Sequence, residues 1–266
     1  MIEPWSLSKT NMKRLKDQKP EVAVIGTAAI EPHNLHLPEG QDMLHTAYIA
    51  EQCSQRAWEK TKKVICLPTI PFGVDCNLMD FPMAIHVSQH TLDALLQDII
   101  RSLYKHSIRK ILIINGHGGN DFTPLIRQIQ CDLEVHVFQS DWWKAGLDQY
   151  EAIFDLPEDH AGEMETSVAL ALYPELVEMK NAGKVTVPPF RFEAMRKGWV
   201  KTSRNFARLN NYCATGDPSR ASAEKGKKYL ELVIGRITQF LIDLAETPLD
   251  KHFPHQLNLK NGFDTF

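Results

Sequence analysis

Three stretches of the chain bring imidazole and carboxylate together at short spacing. The first reads Glu31-Pro-His33-Asn-Leu-His36-Leu-Pro and is followed by Asp42. The second is Asn115-Gly-His117-Gly118-Gly119-Asn120, and the third is Asp159-His160-Ala-Gly-Glu163-Met-Glu165-Thr-Ser. In an extended segment residues i and i+2 share a side, so Glu31 and His33 can address one point. Such a mixed nitrogen and oxygen set suits Zn²⁺, Mn²⁺ or Fe²⁺, whereas Ca²⁺ favours all-oxygen shells. Asp42 has two readings, a ligand or the acid at a helix start. His36 reads as a ligand, a substrate contact or a loop histidine. The glycines around His117 permit a sharp turn and let a ligand approach the backbone, which makes Asn115, Gly118 and Gly119 candidate substrate contacts. Two other readings of that turn are a surface histidine and a phosphate cradle, although the Lys-Ser/Thr of a P-loop is missing. His160, beside two acids and a glycine, points to general acid/base work. Burying both Glu163 and Glu165 without a cation would be costly. Together the three segments suggest a hydrolytic metal site, where a metal acidifies water and polarises a carbonyl. Cys76 is a further nucleophile candidate, but no motif pairs it with a base.

The elements that must position these residues alternate. Apolar, β-branched runs at 21–29, 63–70, 110–115 and 134–139 predict strands. Helical spacing of apolar residues predicts helices at 41–62, 91–106, 121–131, 163–173 and 220–245. The run KILIIN at 110–115 has no polar alternation, as expected for a strand covered on both faces. Strands alternating with helices of this length predict an α/β fold, a mainly parallel β-sheet sandwiched by helices with right-handed crossovers. Ligands bind such sheets beyond the carboxyl ends of the strands, where the first two segments fall. No repeat, low-complexity stretch or linker divides the chain, so residues 1–266 read as one domain with its core at about 20–245.

Composition removes several classes. The chain has 266 residues, 43% of them hydrophobic and 24% charged, in the range of ordinary globular proteins. Lys plus Arg is 30 and Asp plus Glu is 33, giving a net charge of -3 and no global attraction for nucleic acid or anionic membrane. No apolar run approaches the roughly 18–20 residues of a membrane helix. The polar, basic N-terminus lacks the apolar region of a secretory signal. The 5 cysteines are odd in number and contain no CxxC, which favours reduced thiols and a cytoplasmic setting.

These segments, with Thr215-Gly-Asp-Pro-Ser-Arg-Ala-Ser-Ala-Glu-Lys-Gly226, resemble the signatures of the creatininase family over roughly 20–245. The resemblance implies a three-layer α/β/α fold, a small-molecule substrate, two divalent metal ions per chain and a homo-oligomer, often a hexamer. Zn²⁺ is the usual metal, with Mn²⁺ or Fe²⁺ also seen. By family analogy Glu31, Asp42 and His117 hold one ion. His33, Asp42 and a further carboxylate hold the other, with Asp42 bridging. His160 matches the catalytic histidine that handles protons. Creatininase carries a ligating glutamate where this chain has Gly119, so another acid must serve. Glu163 is the first choice and Glu165 the second, with a role in orienting a ligand as its alternative. Leu156 stands in place of a tryptophan that packs on substrate, Glu-Pro-His-Asn replaces the usual Glu-Gln-His-Gly, and FGVDCNLMDFP lacks the common Glu-His. These departures imply a metal-dependent hydrolase acting on an amide or cyclic carbonyl compound other than creatinine, with C–N or C–C cleavage both known in the family. The alternative is a noncatalytic small-molecule-binding protein with a degenerate metal site. The basic, aromatic segment 188–212 reads as a substrate lid or as a solvated loop.

Overall fold

Four short segments, the last of them largely polar, form a wholly parallel sheet. In the computed structural model, which describes residues 2–157 and 160–256, they are β1 (Val22–Thr27), β2 (Val64–Cys66), β3 (Lys110–Asn115) and β4 (His136–Asp141). Asp159 lies outside the described residues. The strand order is β2-β1-β3-β4. The helices in chain order are α1 (Met12–Asp17), α2 (Gln41–Thr61), α3 (Gln89–Lys105), α4 (Thr123–Asp132), α5 (Glu163–Leu172), α6 (Glu193–Arg196) and α7 (Ala223–Glu246). β2 ends earlier than the expected 63–70. Pro68 has no N–H to give a ladder, and beyond it only Ile70 returns, donating to the Gly26 carbonyl at 2.9 Å. The 3₁₀ helix at Trp142–Ala152 was not foreseen by periodicity.

Alternation along the strands sorts the core into two layers. Val22, Val24, Leu112 and Ile114 face α2 and α7, packing on Ile49, Cys53, Tyr229 and Val233. Ala23, Ile25, Ile111 and Ile113 face α3 and α4, packing on Leu96, Ile100, Leu125 and Ile129. Both β1 and β3 are buried along their whole length, which explains their unbroken apolar character. The result is the helix–sheet–helix sandwich expected from the sequence. α3 starts at a capping Ser88, whose side chain accepts the N–H of Thr91. Ser222 caps α7 in the same way through Lys225.

The order β2-β1-β3-β4 sends the chain one way from β1 and the other way at β3. That reversal opens a crevice beyond the carboxyl ends of these two strands. Register aligns Thr27, Asn115 and Asp141 at this edge. Thr27 Oγ1 donates to Asn115 Oδ1 at 3.3 Å, and Asn115 Nδ2 donates to Asp141 Oδ1 at 2.9 Å. The residues just past this ladder open the crevice.

The helix that carries Glu163 and Glu165 is held there by α7. Gly226 makes this possible: a Cβ on it would sit 1.9 Å from the Ser167 carbonyl oxygen. Gly226→Ala must therefore push α5 from α7, and urea unfolding should show a loss of about 1–3 kcal/mol. Unchanged stability would mean the helices can separate freely.

Candidate metal centre

Glu31 and His33 leave β1 in an extended segment, Asp42 opens α2, and His117 follows β3. Asp42 is not the helix cap, which is Gly40, and its carboxylate turns inward instead. His33 Nε2 lies 3.2 Å from Asp42 Oδ1, while His117 Nδ1 lies 3.1 Å from Asp42 Oδ2. One carboxylate thus faces two imidazoles, one with each oxygen. His117 Nδ1 is also 3.1 Å from Glu31 Oε1. His33 Nε2 is 3.8 Å from Glu165 Oε2 and from Glu31 Oε1. Ligand atoms of Glu31, Asp42 and His117 converge within 4.8 Å of one another, as do those of His33, Asp42 and Glu165.

Local bonds fix which nitrogen each ring presents. His33 Nδ1 donates to the Glu31 carbonyl at 3.0 Å, leaving Nε2 toward the acids. That Nε2 is fully buried and has no hydrogen-bond partner among the described residues. His160 Nε2 bonds the Pro32 carbonyl at 2.9 Å, turning Nδ1 to within 3.7 Å of Glu31 Oε1. The His33 and His160 rings lie 4.2 Å apart, centre to centre. The Thr215-Gly motif mounts His160: its N–H donates to Thr215 Oγ1, and its carbonyl accepts the N–H groups of Thr215 and Gly216.

The crowded acids reshape the titration of the cluster. Burial raises Glu31 to about 8, aided by the Asp42 charge and opposed by His117. Burial alone would depress His33, but Asp42, Glu165 and Glu31 overcome it and raise that ring to about 10. His117 is likewise held well above its ordinary range, since Glu31, Asp42 and Asp75 outweigh burial. Asp42 stays far below the usual carboxylate range, because the two histidines outweigh its burial. The acids thus draw positive charge onto both rings. His160 is the exception: burial, with the His33 charge, pushes it down to about 3 and keeps it neutral.

Several expected roles change. Glu163 does not join the cluster. Its buried side chain pairs with Lys225, and its Oε2 accepts the N–H groups of Asp155 (2.9 Å) and Leu156 (2.8 Å). Its place at the first turn of α5 points it at α7 and the loop ahead of His160. Glu165, two positions later, turns to His33 and also accepts the Ala161 N–H at 2.7 Å. Asn115 does not line the cavity. Its side chain bonds Thr27, Asp141, the His117 backbone and Asn120, so it builds the turn. His36 is buried against Thr166, with Nε2 2.9 Å from Oγ1, and also lies off the cavity wall. Gly118 and Gly119 do line it. Gly119 is needed for room, since a Cβ there would lie 2.3 Å from both His117 Nε2 and the Val74 carbonyl. Reading the chain alone missed Asp75, whose carboxylate is fully buried 3.1 Å from His117 Nε2. An acid in the polar stretch VDCNLMD, with no motif around it, was its only signal.

The cavity over the cluster has a volume of about 560 Å³. Trp143, Tyr150 and Phe206 line it beside Asn77, Lys144 and Arg204. Of the segment 188–212, Thr202 to Arg204 and Phe206 reach this wall, whereas Phe192 and Trp199 are exposed. Exposed Cys76 also lines the cavity. All five cysteines are free, and no described helix is long and apolar enough to cross a membrane.

Two buried histidines outside the cluster should make stability fall in acid. Burial lowers His36 from 6.5 to about 4 and His45 from 6.5 to about 3. Below 6.5 the unfolded chain binds these protons more readily than the native one. Their contribution is therefore present above pH 6.5 and lost as pH falls through 4 and 3. Unfolding free energy should decline across that window, and His45→Phe, which keeps the ring between Trp142 and Tyr173, should flatten the decline. An unaltered slope in that variant would exclude His45 as a source.

The family model described as Creatininase: Creatinine amidohydrolase matches residues 6–241. The chain is 26% identical over 235 residues to the creatinine amidohydrolase of Pseudomonas putida, a match covering 80% of this chain and 85% of that one. It is 25% identical over 236 residues to the mycofactocin precursor peptide peptidase of Mycolicibacterium smegmatis, covering 87% and 89%. A Bacteroides fragilis protein provisionally assigned as a creatinine amidohydrolase shares the fold at a TM-score of 0.85 and 30% identity, covering 94% of this chain and 100% of its own. A manganese form of creatininase, 22% identical, and a Zn-Zn form of a mutant creatininase, 21% identical, share the fold at a TM-score of 0.72, each covering 92% of this chain and 100% of its own. With the fold, the ordered motifs and the family model agreeing over nearly the whole chain, this protein belongs to the creatininase family of hydrolases.

Proposed function

We propose that this protein is a hydrolase that uses two divalent metal ions to cleave an amide or cyclic carbonyl compound. The two-sided position of Asp42 carries this reading: each oxygen faces a different histidine, and each histidine faces a further acid. Glu31, Asp42 and His117 would hold one ion, and His33, Asp42 and Glu165 the other. The donor set fits Zn²⁺ first, with Mn²⁺ or Fe²⁺ as alternatives. Bound there, the ions would supply Lewis acidity and a water of lowered pKa.

The chain's own groups supply the rest. His160 is neutral, and its Nε2–H is committed to Pro32, so Nδ1 is its basic nitrogen. Facing Glu31, that atom can take a proton from the attacking group and return it to the leaving group. The aromatic walls exclude water, and Asn77, Lys144 and Arg204 can orient a polar or anionic substrate. The cavity suits a small molecule. Leu156, whose N–H is spent on Glu163, does not line it, which supports a substrate other than creatinine. A homo-oligomer in the cytoplasm completes the proposal. A noncatalytic binding role rests on Gly119, but Glu165 supplies the acid that Gly119 cannot.

Elemental analysis of the purified protein should find near two transition-metal ions per chain. No metal after reconstitution would leave the noncatalytic role. Glu165→Gln should lower metal occupancy, whereas Glu163→Gln should keep it and lower the melting temperature by freeing the loop ahead of His160. The opposite order would overturn the ligand assignment. His160→Ala should retain both ions and lose about 10²–10⁴ in turnover on the lactam or formamide that the wild type hydrolyses. Loss of metal in that variant would make His160 a ligand.

A further inference from the structure

Asp75 is an acid for which the reaction so far has no use. It lies in the loop between β2 and α3, and its side chain is fully buried. Neither of its oxygens makes a well-aligned hydrogen bond among the described residues. An ionised carboxylate left this way is expensive, so a nearby positive charge must offset it. The group at hand is the imidazole of His117, with Nε2 3.1 Å from Asp75 Oδ1. The same nitrogen bonds the Val74 carbonyl at 3.1 Å. The ring therefore has acids on both sides: Glu31 and Asp42 at Nδ1, and Asp75 beyond Nε2.

The loop is built to keep Asp75 there. Val74 N–H donates to Asn120 Oδ1 at 3.1 Å, and Asp75 N–H donates to His86 Nδ1 at 3.1 Å. The Asp75 carbonyl accepts the N–H of Leu78 at 2.9 Å. At Gly73 a Cβ would lie 2.5 Å from the Ala28 carbonyl and 3.1 Å from His117 Cδ2, so the backbone passes directly beneath the ring. Gly119 leaves open the contact of Nε2 with Val74.

We propose that Asp75 is the positioning residue of the metal centre, its carboxylate set against the Nε2 side of His117 so that the proton stays there and Nδ1 presents its lone pair between Glu31 and Asp42. This inference rests on the metal-hydrolase reading. An imidazole that gives one nitrogen to a cation carries its proton on the other, and a carboxylate behind that proton orients the ring and strengthens the donor. A peptide carbonyl alone supplies orientation without charge. Asp75 supplies the charge.

The test compares full-length wild type, Asp75→Asn and Asp75→Leu. Zn²⁺ affinity is measured by chelator competition, and Co²⁺-loaded proteins are compared by visible absorption. One of the two sites should weaken by about 10–100-fold in Asp75→Leu, as for other partners of metal-bound histidines. Asp75→Asn, which keeps an acceptor without the charge, should fall between. The cobalt bands of that site should shift in both variants. Wild-type affinity and an unchanged cobalt spectrum in folded variants would overturn the inference while leaving the metal centre intact. A wild type that binds no metal would remove both readings. Should neither variant fold, ¹⁵N-histidine spectra of the zinc-loaded wild type decide, with His117 assigned by its loss in His117→Gln. A proton on His117 Nε2 supports the role, and a proton on Nδ1 overturns it.

Discussion

Carboxylates repel one another, and this protein gathers four of them around two imidazoles. Glu31, Asp42 and Asp75 are buried, and Glu165 is nearly so. In a medium of low polarity, like charges at such distances cannot all remain ionised without compensating positive charge. The histidines answer that demand from between the acids, and the proposed metal ions would answer it more completely. The rest of the architecture serves to hold these groups together against their repulsion. That purpose explains why so many of their partners are backbone groups, which cannot swing away.

The sheet makes the gathering possible. Glu31 and His33 follow β1, His117 follows β3, and these two strands are hydrogen-bonded neighbours in register. The ladder Thr27–Asn115–Asp141 stiffens their carboxyl ends just before the chain departs. Asp42 arrives on the first turn of a 21-residue helix packed on the same sheet. Glu165 arrives on α5, seated by its close approach to α7. Each ligand candidate thus stands within a few residues of a regular element buried in the core. Side chains mounted so near rigid elements keep their geometry better than those at the tips of long loops.

Much of this could be read from the chain before any coordinates. β3 appears in the sequence at its observed bounds, because a strand covered on both faces has an unbroken apolar run. The i, i+2 spacing of Glu31 and His33 implied that the two side chains could face one point, and His33 Nε2 lies 3.8 Å from Glu31 Oε1. The choice between Glu163 and Glu165 could not be read the same way. Both open one helix, and only the position of Lys225 on α7 decides which of them turns outward from the cluster. That partner is 62 residues away. Asn115 was misjudged for a related reason: an amide beside a glycine-rich turn looks like a ligand contact until its neighbours claim all its hydrogen bonds. Asp75 has no motif, and its meaning comes wholly from the ring whose Nε2 it faces.

Glu165 ends up with two obligations. Its carboxylate faces His33, and the same group accepts the N–H of Ala161, the residue beside His160. Ala161 adopts a left-handed backbone (φ 58°), a shape that this bond helps to hold. The candidate ligand and the candidate proton carrier are therefore parts of one small mechanical unit. A substitution that retunes one will move the other, so this corner offers evolution little room for gradual change. Trp143, Lys144 and the stretch 202–206 are free of that bond, and new substrate preferences can accumulate there while the centre stays as it is.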